Sequence, residues 1–204
     1  MLLEKQLAAL EEFDFTLEPS VTIDDLLYSG ERSDFESPPF DLIFFVLSGE
    51  IEREPWGRRF CRRIWNLDYE CIEEDGDYVR IVEELSAVAG RPDALQEVSE
   101  HFDVDGGSGW LKYVVGGVER VWDVKVDGDW ADPTLIANVM GDLESGRRRF
   151  FGLDNGQAMI VCYLDGEQAD KLNRLSKNRW SPMVPNEEEK ANRGFLGMVR
   201  RWFG

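Results

Sequence analysis

The chain carries a single histidine, His101, in 204 residues, and that scarcity removes much common chemistry. No HExxH or other histidine cluster can form, so histidine-based zinc sites are excluded. Ser–His or Cys–His catalysis has one candidate base, and no GxSxG turn presents a nucleophile. GxxxxGK[ST] and GxGxxG loops are absent, which removes the usual phosphate cradles. Cysteine is scarce too. Cys61, Cys71 and Cys162 are odd in number and form no CxxC pair, so buried reduced thiols are expected and a zinc ribbon is excluded. The longest apolar stretch, Leu42 to Leu47, is far short of the ~18 residues of a membrane span. Met1-Leu2-Leu3-Glu4-Lys5 lacks the basic start and apolar centre of a signal peptide, so a cytoplasmic, bacterium-like setting is expected.

Positive charge is the other shortage. There are 41 Asp and Glu against 23 Lys and Arg, a formal charge of −18. Summed charge of this size governs association and solubility, not fold. Apolar residues make up 43% and aromatics 12%, which is material for a core and unlike a disordered acidic chain. The charge is uneven. Residues 1–50 hold twelve acids and two bases, whereas residues 177–204 hold six bases and three acids.

The pattern along the chain predicts a mixed architecture. Leu2, Leu3, Leu7 and Leu10 share a helical stripe, so residues 2–12 read as a helix. Thr22 and Asp25 resemble a helix start at Ile23. Residues 32–38 read as a loop, and Phe40 to Leu47 fits either a strand or a buried helix. Pro55 is a good first helical residue. After it Phe60, Cys61, Ile64 and Trp65 share one face and Arg58, Arg59, Arg62 and Arg63 the other, which predicts an amphipathic helix. That basic cluster is expected to pair with the acidic first half. Tyr78, Ile81, Val82, Leu85 and Val88 form a stripe that stops at Gly90. Pro92 is expected to open a short helix to about His101, followed by a Gly-rich acidic loop from Asp103 to Gly109.

From Trp110 the period changes. Leu111, Tyr113 and Val115 lead into Gly116-Gly117, a two-residue hairpin signal, and Trp122, Val124 and Val126 alternate with polar residues. Asp132-Pro133 opens a helix. Phe150 to Leu153 reads as a strand, Asn155-Gly156 as a hairpin turn, and Ala158 to Leu164 as a central strand covered on both sides. Asp165 and Gln168 form a capping box for a last helix. The expected fold class is α+β: a helical N-terminal half (about 1–104) packed with an antiparallel sheet half (about 105–180) of β-β-α-β-β-α order, in one domain of residues 1–180. Residues 181–204 read as a linker and an amphipathic tail, with Phe195, Met198 or Val199, and Trp202 on one side. That tail is expected to dock on the acidic body; its alternatives are a partner or an anionic membrane surface, as a peripheral contact.

The Asp-rich loops fail as calcium sites. Counted from Asp103, an EF-hand would place Ser108 where glycine is needed and Val114 where glutamate is needed. Counted from Asp127, Ala131 and Asp132 break the pattern. Both loops therefore read as turns in which Asp bonds its own backbone. Asp123-Val124-Lys125 is a short nuclease-like pattern, but its charged residues lie opposite Trp122 and Val124, as on a solvated strand face. No metal and no cofactor is expected, and nucleic acid is not an expected partner, because a strongly acidic surface repels a polyanion. The binding candidates are Asp127, Asp129, Trp130 and Asp132, in the loop after the second hairpin strand, with Asp103 and Asp105 in the Gly-rich loop. Loops on a rigid scaffold carry function more often than the scaffold does.

The stretch Val121-Trp122-Asp123-Val124 through Asp129-Trp130-Ala131-Asp132-Pro133, followed by Asp154-Asn155-Gly156-Gln157-Ala158, resembles small acidic bacterial proteins of unknown function. Some of these are similar to immunity proteins that neutralise polymorphic or contact-dependent toxins. The resemblance spans about residues 110–175, assigns no residue a role, and implies a non-enzymatic inhibitor of a basic toxin or effector. The physics runs the same way, since an acidic inhibitor is steered to a basic cleft. Two other functions stay open: a structural or adaptor protein of a bacterial assembly that uses the amphipathic tail, and an enzyme with an unfamiliar carboxylate site.

Overall fold

The computed structural model describes residues 1–103, 106–177 and 179–185. It is a mixed α+β structure. Helices α1 (Leu3–Leu10), α2 (Ile23–Ser29), α3 (Arg32–Glu36) and α4 (Leu42–Leu47) precede strand β1 (Ile64–Asp68) and helix α5 (Asp77–Ala89). Strands β2 (Leu95–Asp103), β3 (Ser108–Val115) and β4 (Val118–Asp123) follow, then α6 (Pro133–Leu143), β5 (Arg148–Asp154), β6 (Ala158–Asp165), α7 (Gly166–Leu175) and β7 (Trp180–Pro182).

The strands make two antiparallel sheets where the sequence pointed to one. The larger has the order β1-β6-β5-β7, the smaller β2-β3-β4. Strand β6 explains the layering. It is apolar on both faces, and alternation sends successive side chains to opposite sides. Ile160, Cys162 and Leu164 enter a core with α1, α4 and α7. Met159, Val161 and Tyr163 enter a second core with α5, α6 and the smaller sheet. Helix α5 packs against β1 and β6 of one sheet and β2 of the other, so each sheet is covered by a shared helix.

Local signals explain the helix starts. Thr22 and Asp25 form a reciprocal capping box for α2, as do Asp165 and Gln168 for α7. Gly90 adopts φ +67° where α5 ends, a conformation with a steric cost for any residue with a Cβ. Gly116 and Gly117, at φ +57° and +78°, close the β3–β4 hairpin.

Several segments depart from the sequence reading, each for a non-local reason. Residues 32–38 contain the one-turn helix α3, which drives Phe35 fully into the core. Residues 55–63 form no helix. Their backbone pairs with residues 49–51 instead: the Ile51 N–H donates to Arg58 O at 2.8 Å, and Ile64 onward joins β1. The region expected as a helix up to His101 is β2, because pairing with β3 supplies its backbone partners. Strands therefore occur inside the half read as helical. The segment read as linker and tail, residues 181–204, also begins with structure. Residues 180–182 pair with β5, and Met183 and Val184 are buried. The amphipathic tail segment itself lies outside the described residues. Among the described residues no helix is long and apolar enough to cross a membrane.

Candidate functional site

Strands β2 and β4 end, and β3 begins, at one end of the smaller sheet. Three segments converge there. The Val124 N–H donates to Gly109 O at 2.9 Å, which ties the β4 exit to the β3 start. The Ile72 N–H donates to Asp129 O at 2.9 Å and the Ala131 N–H to Tyr69 O at 2.7 Å, so segment 69–72 lies along segment 129–131. Asp75 accepts the Phe102 N–H at 2.6 Å and so joins the α5 approach to β2. Backbone pairing, with the Asp75 carboxylate as one further tie, therefore holds the acidic segments together.

The candidate acids behave differently once placed. Asp132 is structural. Its Oδ1 accepts the N–H groups of Thr134 at 2.8 Å and Leu135 at 3.3 Å, which caps α6, while Oδ2 accepts the Lys125 N–H at 2.9 Å. Its own N–H donates to the buried Tyr78 hydroxyl at 2.8 Å. With 7% of its surface exposed, Asp132 presents little to a partner. Asp103 accepts the Gly106 N–H at 2.8 Å and shapes its own turn. Asp105 lies outside the described residues. Asp127 and Asp129 are exposed; Asp127 pairs with Lys125 Nζ at 2.9 Å. That pair takes the lysine of the nuclease-like pattern away from Asp123.

Trp130 is the exposed aromatic of this loop, at 39%. With Ala131, Pro133, Lys125, Asp127 and Asp132 it lines a cavity of about 210 Å³. An open indole costs solvation free energy for each square ångström left in water, and an aromatic in that position is the usual anchor of a protein interface.

The sequence reading chose no binding residue in the segment that leads from β1 into α5. Asp68, Glu70, Glu73, Glu74, Asp75 and Asp77 lie there without an intervening base. That run was the available signal, and only the fold brings it beside Trp130, through the Glu70–Trp130 bridge. Glu100 belongs to the same end. Its carboxylate accepts the Gly76 N–H and, at 2.7 Å, the Val79 N–H at the α5 N-terminus. Burial raises its pKa, and these two backbone donors oppose the rise. Cys71, the nearest thiol, is pushed up to about 11 by burial, which leaves it a poor nucleophile.

No group of three His, Cys, Asp or Glu side chains among the described residues is arranged to hold a metal ion. The end of the sheet therefore offers an indole, a small apolar recess and a dense negative rim. The arginine cluster is engaged with other groups. Arg58 pairs with Asp25 at 3.5 Å, Arg62 with Glu18 at 3.2 Å and Arg59 with Glu84, while Arg63 donates to Ala87 O at 3.4 Å. Comparison with protein-family models, curated proteins and solved structures found no match to this chain.

Proposed function

We propose that this chain is an acidic protein-binding module that captures a basic protein partner at the Trp130 end of the smaller sheet, as an inhibitor or immunity protein does with a basic toxin or effector. The observation that carries the reading is the exposed Trp130 over its recess, set among Asp127, Asp129 and the acidic run from Asp68 to Asp77. The indole supplies a desolvated anchor and the carboxylates supply steering and register. Burying an indole on a cationic partner adds cation–π attraction of about 0.5–2 kcal/mol. The module needs no reacting group of its own. Nucleic acid is a poor partner, because its phosphates meet the same sign of charge.

The test separates this end from net charge in general. A fluorescein-labelled oligolysine peptide is titrated against two triple variants with equal change in charge. One neutralises the site (Glu73→Gln, Asp127→Asn, Asp129→Asn); the other neutralises exposed acids elsewhere (Glu31→Gln, Asp34→Asn, Asp170→Asn). The site triple is expected to weaken binding about tenfold and the distant triple less than about threefold, with Trp130→Ala adding to the first effect only. Equal losses in the two triples would refute the reading and leave a diffuse charge effect.

A further inference from the structure

Among the described residues four strand edges terminate the two sheets, and three of them are covered, interrupted or very short. On β1 the Asn66 N–H donates to Ser48 O at 3.0 Å. Strand β7 is three residues long and ends in Pro182. Strand β2 has a register irregularity between Gln96 and Ser99, with Glu97 at φ +52°, and the Asp75 carboxylate occupies its Phe102 N–H. The fourth edge, β4, pairs with β3 without interruption from Val118 to Asp123 and is exposed along almost its whole length.

The hairpin fixes which backbone groups face outward. A two-residue turn makes Val115 and Val118 a hydrogen-bonded pair, so Val118, Arg120 and Trp122 point their N–H and C=O groups at β3. Val124, in the same phase, does donate to Gly109 O. The N–H and C=O groups of Glu119, Val121 and Asp123 therefore point away from the sheet, and no backbone hydrogen bond joins them to another described residue.

We infer that β4 accepts an extended, basic segment of a protein partner as an added strand. The proposal rests on the reading that the partner is basic, and it names how that partner engages. The side chains beside the free backbone groups select the occupant. Glu119 and Asp123 stand on the outer face with Val121, which is 57% exposed; Trp110, Lys112 and Val114 of β3 continue that face, and Lys112 lies 3.9 Å from Glu119 in an exposed pair that a partner's basic side chain can replace. A second copy of this chain is disfavoured. In the two-fold register that uses the outward groups, Val121 meets its equivalent and Glu119 lies opposite Asp123 of the copy, placing like charges directly across the ladder. A strand that alternates lysine or arginine with β-branched residues lays all its basic side chains on the face of Glu119 and Asp123 and its β-branched ones on the face of Val118 and Trp122. Strand addition gives affinity through the backbone and specificity through alternate side chains. Because β4 runs into the 124–132 loop, the added chain is led toward Trp130.

The experiment uses the full chain and two end-blocked peptides of equal length and charge that alternate lysine with valine, one unmodified and the other N-methylated on the backbone nitrogen of every lysine. The lysines that face Glu119 and Asp123 carry the N–H groups turned toward β4, so the methylated peptide cannot supply the ladder donors. The unmodified peptide is expected to bind about tenfold more tightly than the methylated one and to slow amide hydrogen exchange at Glu119, Val121 and Asp123 by about tenfold or more. Val121→Pro removes an outward N–H that β3 does not use, and it is expected to erase the difference between the peptides. The exchange measurement on the unmodified chain stands even if that variant is destabilised. Equal affinity for both peptides with those amides still fast, or no binding of either peptide, overturns the inference. If the neutralised site triple weakens both peptides equally while the amides stay fast, the strand addition is wrong and the acidic site survives. If the amides slow and the triple changes nothing, strand addition stands and the acidic-site reading falls.

Discussion

The Tyr78 hydroxyl accepts the Asp132 backbone N–H at 2.8 Å, and this contact joins α5 to the loop that carries Trp130. Tyr78 is almost fully buried, and burial raises the pKa of its phenol, so it stays neutral and keeps a proton to donate elsewhere. Asp132 meanwhile caps α6. Asp132→Ala is expected to cost about 1–2 kcal/mol of stability in urea denaturation. Tyr78→Phe leaves a buried N–H unpaired and is expected to cost about 1–3 kcal/mol. Asp127→Ala and Asp129→Ala, at exposed positions, are expected to stay within about 0.5 kcal/mol of the parent. Equal, negligible effects at positions 129 and 132 would remove the distinction between a capping acid and a partner-facing one.

Asp25 gives the fold an acid-sensitive point. The Arg53 guanidinium and the Thr22 N–H bond its carboxylate and hold its pKa down to about 2, against the opposing effect of desolvation. A lowered folded-state pKa means that the stabilisation is fully present above the unfolded value, near pH 4, and disappears as pH falls toward 2. Asp25→Asn is expected to be less stable than the parent by about 1–3 kcal/mol at pH 7. The gap should close between about pH 4 and pH 2. Thermal melts of both proteins across that range check it. A gap independent of pH would show that the charge of Asp25 contributes nothing.

Much of the architecture was legible where local chemistry and tertiary packing agree. The α5 stripe, the two capping boxes, the Gly116-Gly117 turn and the doubly apolar β6 each carry a short-range cause that the final fold leaves intact. Legibility failed at 58–63 and 95–103 for a common reason. Phe60, Cys61 and Ile64 have helical spacing, yet the backbone of residues 58–60 finds its partners across the chain in residues 49–51. In β2, Glu100 turns to bond the α5 N-terminus, so a half-buried acid interrupts the alternation that would have marked a strand. The site shows the same division. Asp127, Asp129 and Trp130 could be picked as an exposed loop. The Asp68 to Asp77 run could not be placed beside them, because its pairing with residues 129–131 is long-range. Asp132 looked like its neighbours, and only its hydrogen bonds separate it from them.

The three thiols are expected to resist modification in the folded protein. Burial pushes Cys61 and Cys71 up to about 11 and raises Cys162 as well. At pH 8 the thiolate fraction at such a site is roughly two orders of magnitude below that of a free cysteine, and labelling slows in proportion. Cys71, the least buried of the three, should react first, and all three should react at once in denaturant. A native thiol that labels as fast as free cysteine would contradict the packing around it.

Trp180 tests whether the last strand is integral to the fold. Its ring meets Phe44 edge-on at 5.3 Å and 84°, it is 4% exposed, and its backbone is tied to the Asn173 side chain at 2.9 and 3.0 Å. The Nε1–H, however, is buried with no hydrogen-bond partner among the described residues, so part of the gain from burying the ring is offset. Trp180→Ala is expected to cost about 3–5 kcal/mol. Trp180→Phe gives up area but also removes the unpaired donor, and it is expected to cost only about 1–2 kcal/mol. Chemical denaturation of both variants separates the terms. If Phe proves as costly as Ala, the indole nitrogen has a partner in solution. If Ala costs almost nothing, β7 lies outside the cooperative core and the body ends at α7.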